Sequence, residues 1–194
     1  MILYYAPGAC SQASHIALIE AGLPHSLIKT GRDRRTDDGR DFNLINPKGY
    51  TPALDLGDGT ILTENLAILV YIAEKSGKLL AKDGVARWRA LEATTFMTTE
   101  IHRNFMPFFR GGTEQEKEAA TQALHMRFGT LSDQLGDNPF LIGTVMTIAD
   151  CYLFIMLAWA AMMGVAVPPR LADYLARLKQ RPAIVEALRA EGLA

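Results

Sequence analysis

The rhythm of apolar and polar positions changes once along the chain, near residue 84. Ahead of that point the apolar residues fall in short runs ended by turn formers. Residues 1–5 form a strand-like run stopped by Pro7-Gly8, residues 11–21 carry helical spacing closed by Gly22, and residues 24–29 alternate as a strand does. Residues 30–40 hold seven charged residues among eleven and predict a solvated loop or irregular helix. Residues 51–56 and 60–63 flank Gly57-Asp58-Gly59, whose Asp-Gly pair supplies the positive φ of a tight turn, so a hairpin is expected. Leu66, Leu69, Val70 and Ala73 then mark a helix that fades at Ser76-Gly77. Beyond the change, Met97, Ile101, Phe105 and Phe108 recur at spacings of four, four and three on one helix face. Further helices are expected over residues 113–135, 147–163, 169–179 and 182–190.

The first part thus runs β-α-β, loop, β-hairpin, helix, which is the element order of a thioredoxin-like fold. The expected fold class is α/β plus all-α, with a thioredoxin-like domain over residues 1–77 followed by a helical-bundle domain over residues 84–194. Composition agrees with a packed interior: 49% of residues are hydrophobic and 21% charged, enough for a core without disulfides or metal. Lys and Arg number 20 against 21 Asp and Glu, so no long-range field draws the protein to nucleic acid or an anionic membrane. Residues 151–167 are the most apolar stretch, yet only 17 long, opened beside Asp150 and interrupted by Gly164. That reads as a buried core helix and not a membrane span. Two cysteines, with strand-forming residues from Ile2 onward, predict a reducing, cytoplasmic location.

Cys10 falls just past the Pro-Gly turn, at the expected start of the first helix, where free N–H groups and the helix dipole favour an anion. A thiol there should ionise below the ~8.5 of a free cysteine, although a buried Cys is also a plain small hydrophobe. Ser11 is either a helix cap or a hydroxyl donor to a bound sulfur. No second cysteine stands at a C-x-x-C spacing, so the natural partner of Cys10 is an external thiol. Pro52 opens the third strand, a position that gives up only one donor, and in thioredoxin-like folds such a proline is typically cis. Glu64 and Asn65 open a helix, either as first-turn carboxylate and cap, or as a pair that holds an ammonium and a carboxylate. An amino-acid moiety carries both charges on one carbon. His102 borders the apolar helix stripe, as a boundary residue or as a cleft group that steadies a thiolate or shuttles a proton. The histidines share no metal-ligand spacing with either cysteine, so no metal is expected. Thr147 and Asp150 have the form of a capping box with Asp for Glu, a structural role whose loss costs about 0.5–2 kcal/mol and more at a buried helix end.

These pieces, in this order, resemble the cytosolic glutathione S-transferases, and the local sequence narrows the resemblance to the bacterial beta class. Tyr4-Tyr5-Ala6-Pro7-Gly8-Ala9-Cys10-Ser11 is similar to the N-terminal signature of that class. Asn46-Pro47-Lys48-Gly49 ahead of Thr51-Pro52, Leu62-Thr63-Glu64, Thr147-Ile-Ala-Asp150, Asp173-Tyr174-Leu175 and Gln180-Arg181-Pro182 continue it over essentially the whole chain. The resemblance implies a glutathione-using enzyme in which Cys10 meets the glutathione sulfur and forms a mixed disulfide with it, with His102 facing that site. It implies further that Thr51 pairs its backbone with the cysteinyl part, that Glu64 and Asn65 hold the γ-glutamyl end, and that Arg34 or Arg35 reaches the glycine carboxylate. Tyr50 stands where the class often has Gln. Phe105, Met106 and Phe109 are the apolar candidates for the electrophile site. A two-fold homodimer is implied as well. Two other readings share the fold: a non-catalytic stress or transcription-associated protein, and a dehalogenase or isomerase with glutathione as cofactor.

Overall fold

The computed structural model describes residues 1–194, which divide into two compact units: residues 1–80 with 182–194, and residues 81–181. The first unit is built on a four-stranded sheet of order β2-β1-β3-β4, from β1 (Ile2–Tyr5), β2 (Ser26–Lys29), β3 (Ala53–Asp55) and β4 (Ile61–Thr63). β1 and β2 run parallel, which a crossover helix permits, whereas β1–β3 and β3–β4 are antiparallel. The crossover is α1 (Ser11–Ala21), closed by Gly22 at φ 71, a left-handed geometry that suits glycine. The expected hairpin is present, and α3 (Asn65–Ser76) follows it. α1 packs against α3 and against the last helix, α9 (Pro182–Ala190).

Alternation along the strands assigns the two faces of the sheet. Leu3 pairs in register with Leu54 and Tyr4 with Ala53. Tyr4 and Ala53 form a buried cluster with Phe42, edged by Ile2, Ile28, Ile45 and Ile61. Phe42 belongs to an element the pattern did not reveal, the one-turn helix α2 (Phe42–Ile45), capped by the Asp41 carboxylate accepting from Asn43 N–H at 2.9 Å. Four residues are too few to show a helical period. The charged run before it is ordered by two isolated bridges, Thr30 to Thr36 and Arg35 to Asp41.

The second unit is helical: α4 (Gly84–Phe96), α5 (Met106–Phe109), α6 (Glu114–Leu135), α7 (Ile148–Met163) and α8 (Pro169–Leu178). Two expectations fail here. The fourth helix does not continue regularly through Phe108; it gives way to a π-turn at Met97–Ile101 and a 3-10 turn at His102–Phe105 before α5. The apolar spacing survives these changes of winding, which is why periodicity alone reads them as one helix. The helical domain also does not extend to residue 194, because α9 packs on α1 in the first unit.

α7 is the core of the second unit, with twelve buried residues from Ile148 to Ala160. Its N-terminus carries the expected capping box: Thr147 Oγ1 accepts from Ala149 N–H, while Thr147 N–H donates to Asp150 at 2.7 Å. Asp150 is fully buried and also accepts from Leu141 N–H at 2.8 Å and from the Tyr174 hydroxyl at 2.5 Å. Burial pushes its carboxyl above the usual range, and these donors pull it back. No helix is long and apolar enough to cross a membrane.

Candidate active site

In the first unit the turn between β1 and α1 brings Cys10 to the N-cap of α1, after Gly8 at φ 68. Its Sγ lies 3.6 Å from the carbonyl oxygen of Thr51, and the Thr51–Pro52 peptide is cis. Cys10 is half-buried. Burial dominates its acidity and, with a smaller push from Glu64, outweighs the N–H groups of Cys10 and Ser11. The thiol is pushed up to about 12. The expectation of an easily ionised Cys10 is therefore overturned: the helix terminus acts in the anticipated direction, but desolvation of an anion is the larger effect. At neutral pH Cys10 carries a neutral S–H that donates to Thr51.

Ser11 is fully buried, and its hydroxyl donates to the Ala6 carbonyl and accepts from Ala6 N–H, both at 3.2 Å. Its hydrogen bonds hold the turn shut, which is the work of a loop clamp.

Glu64 stands at the N-cap of α3 with φ 72, a left-handed backbone uncommon for a residue with a side chain. Its Oε1 accepts from Lys48 Nζ at 2.5 Å and from the Tyr50 hydroxyl at 2.8 Å, and these two bonds hold its carboxyl below the usual range. That the Lys48 ammonium reaches a carboxylate sixteen residues on is not visible in the sequence. Asn65 is 8% exposed, its Oδ1 accepts from Ser14 at 2.7 Å, and its Nδ2 has no partner. A buried orphan donor is rare enough to need a reason.

The two arginines separate. Arg34, at φ 61, donates to Asn43 Oδ1 at 3.1 Å and lies over Gly49 so closely that a Cβ there would meet its guanidinium at 2.8 Å. Arg35 turns back to the Gly39 carbonyl within the charged loop. Cys10, Thr51, Tyr50 and Glu64 are thus linked around the cis-proline, Asn65 adjoins them through the chain, Arg34 borders the same loop, and Arg35 does not.

In the second unit the π-turn and 3-10 turn build an aromatic cluster. His102 Nδ1 is 2.6 Å from the Tyr152 hydroxyl, and its ring stands edge-on to Trp159 at 4.9 Å. Trp159 also meets Phe109 at 4.7 Å and Phe105 at 5.6 Å. Burial pulls His102 down to about 4, so the imidazole is neutral at pH 7. Phe105 is fully buried against Phe128 and Trp159, so it supports the cluster from within and does not line an open surface. Phe109 is 41% exposed and Met106 half-buried, and both remain available. Trp159 was missed because it lies inside an all-apolar helix whose pattern marks no face. The surface grooves of about 560 and 620 Å³ near Phe108 and Phe96 include neither His102, Met106 nor Phe109.

Comparison with known proteins follows the same two-part division. The model of the glutathione S-transferase N-terminal domain matches residues 8–75, and that of the C-terminal domain matches residues 114–177. The chain is 38% identical to the glutathione S-transferase GstA of Escherichia coli O157:H7, over 100% of both chains. A bacterial beta-class glutathione S-transferase from Sphingomonas chungbukensis superposes with a TM-score of 0.92 at 40% identity, covering 100% of each chain. A sphingomonad glutathione S-transferase complexed with glutathione does so with a TM-score of 0.92 at 38% identity, again over 100% of both.

Proposed function

The chain belongs to the glutathione S-transferase family and is a glutathione transferase, and from this premise we propose that it binds glutathione around Cys10 and joins its sulfur to small hydrophobic electrophiles. The observation that carries the binding mode is the half-exposed Glu64 carboxylate at the N-cap of α3, tied to Tyr50 and Lys48, with Asn65 opening the helix behind it. A γ-glutamyl head group suits this corner: its carboxylate accepts from the helix terminus that Asn65 opens, and its ammonium takes the place of Lys48 on Glu64. Thr51 offers backbone groups to the cysteinyl part, Pro52 shapes that approach, Tyr50 orients Glu64, and Arg34 meets the glycine carboxylate.

The neutral Cys10 thiol then acts as a hydrogen-bond donor. On binding, its S–H leaves the Thr51 carbonyl for the sulfur of glutathione, and with the N–H groups at the start of α1 it favours the thiolate of the ligand over its thiol. That thiolate, its proton released to solvent, forms the new S–C bond while the leaving group departs with its electron pair. Within the helical unit, Met106 and Phe109 are the accessible apolar residues for an electrophile, with Trp159 packed behind Phe109, and His102 is uncharged, so it offers a ring N–H or lone pair and not a positive charge. The reading extends to a cytoplasmic, detoxifying role.

Titration calorimetry with glutathione, followed by conjugation of a generic aryl halide, tests the site. Arg34→Ala is expected to weaken glutathione binding about tenfold, the order of one charge-assisted hydrogen bond, while Arg35→Ala leaves it unchanged. Equal losses in the two variants would undo the assignment, and wild-type protein that binds no glutathione would undo the site. We propose also a two-fold homodimer, favoured by Val85 and Trp88, 71% and 66% exposed one turn apart on α4. Sedimentation should give twice 21.3 kDa; a species at 21.3 kDa at micromolar concentration contradicts it.

A further inference from the structure

One buried carboxylate takes no part in the chemistry above, and it comes from the far end of the chain. Glu191 follows α9, and its side chain is wholly buried. Oε2 accepts from Gly8 N–H at 3.0 Å and from Gln12 Nε2 at 3.0 Å, and Oε1 lies 2.9 Å from His15 Nδ1. Gln12 and His15 are each 2% exposed and stand on the first turns of α1. Every partner of this carboxylate therefore belongs to the turn or the helix that presents Cys10. The His15 ring also lies 6.3 Å from that of Tyr5 and 5.6 Å from that of His25, and its Nδ1 is directed at Glu191.

We propose that Glu191 is a positioning residue for the glutathione site, holding the Cys10 turn from outside while Ser11 holds it from inside. The turn spans only residues 6–10. Ser11 fixes Ala6 at its start, Glu191 fixes Gly8 at its middle, and Gln12 and His15 tie the same carboxylate to the helix that begins at its end. With both clamps closed, the depth of Cys10 and the direction of the N–H groups at the start of α1 are set. With Glu191 lost, the buried Gln12 amide loses its acceptor and Gly8 loses its tie to the last helix, and the turn opens toward water. The half-buried thiol then becomes more exposed and more acidic, and glutathione meets a less ordered floor. The inference rests on the reading of this turn as the glutathione site.

The test uses Glu191→Leu, which removes the acceptors, and Glu191→Gln, which keeps the shape. A glutamine offers its oxygen to Gly8 and Gln12 and its N–H to His15 in the other tautomer, so it should behave as wild type. In Glu191→Leu, alkylation of Cys10 by iodoacetamide at pH 8 is expected to accelerate at least about tenfold, since each unit by which the thiol pKa falls raises the thiolate fraction tenfold. The KM for glutathione should rise severalfold with a smaller change in kcat. Gln12→Met, which removes a single arm, should move both readouts the same way by less, and it decides the matter if Glu191→Leu does not fold. Folded variants with a lowered melting temperature but wild-type alkylation and wild-type KM would overturn the proposal, leaving Glu191 as a mere anchor for the last helix. Faster alkylation with unchanged glutathione KM would instead uphold the clamp and overturn the placement of glutathione on this turn.

Discussion

Replacing Cys10 with alanine should abolish glutathione-dependent disulfide reduction and leave aryl-halide conjugation within about tenfold of wild type, the scale of one lost hydrogen-bond donor. Exchange needs a protein sulfur: the Cys10 thiolate attacks a disulfide, one S–S bond forms as another breaks, and a second glutathione releases the mixed disulfide. Conjugation needs only the thiolate of glutathione, which the N–H groups at the start of α1 still stabilise in the variant. The high pKa of Cys10, about 12, adds a pH signature. Exchange through Cys10 should be slow at neutral pH and rise steeply with pH, whereas conjugation follows the ligand's own thiol. The shift also bears on stability: the folded pKa lies above the unfolded one, so the contribution of this thiol is complete below ~8.5 and is lost as pH rises toward 12. The alanine variant should lack that alkaline decline. Rates of both reactions between pH 6.5 and 9, with mass spectrometry for a glutathione adduct on Cys10, check the separation. Full exchange activity without Cys10 would reduce it to a small residue beside the site.

Asp150→Ala should be the most damaging single change to stability. It deletes the acceptor for Thr147 N–H, Thr147 Oγ1, Leu141 N–H and the Tyr174 hydroxyl at once, inside the core. Leaving buried donors unsatisfied costs about 1–3 kcal/mol each before relaxation, so a net loss of at least about 3 kcal/mol is expected. In a chain of this size that corresponds to a melting temperature lower by roughly 10 °C. Glutathione affinity of the folded fraction should be unchanged, because every contact of Asp150 lies within the helical unit. Thermal unfolding beside calorimetric titration measures both quantities. Unchanged melting with lost glutathione binding would contradict the structural role.

What could be seen in the sequence follows from the range over which each signal acts. The hairpin at Gly57-Asp58-Gly59, the cap of α7 and the place of Cys10 after Pro7-Gly8 are written in neighbouring residues, and all three stand where the pattern put them. The acidity of Cys10 was misjudged because the helix terminus is local and visible, while the burial that outweighs it is assembled from distant segments. The bond of Ser11 to Ala6 is hidden for a related reason: its spacing admits a hydroxyl pointing to a ligand or back to Ala6, and the folded turn supplies the second. The change from α to π winding at Met97 preserves apolar spacing and is silent in the pattern. Glu191 reads as an ordinary charged residue near a helix end, with nothing nearby to hint at a partner 183 residues away.

The return of α9 to the first unit has a consequence for the order in which the protein is made. Residues 81–181 leave the ribosome as an uninterrupted stretch and hold all the segments of their own unit. The sheet-bearing unit, although synthesised first, stays incomplete until residues 182–194 emerge, since α1 has no α9 against it and Gly8, Gln12 and His15 lack their carboxylate until then. A chain released at residue 181 would therefore hold every segment of the helical unit and a Cys10 turn still open to solvent, which thiol reagents should modify faster than in the completed protein.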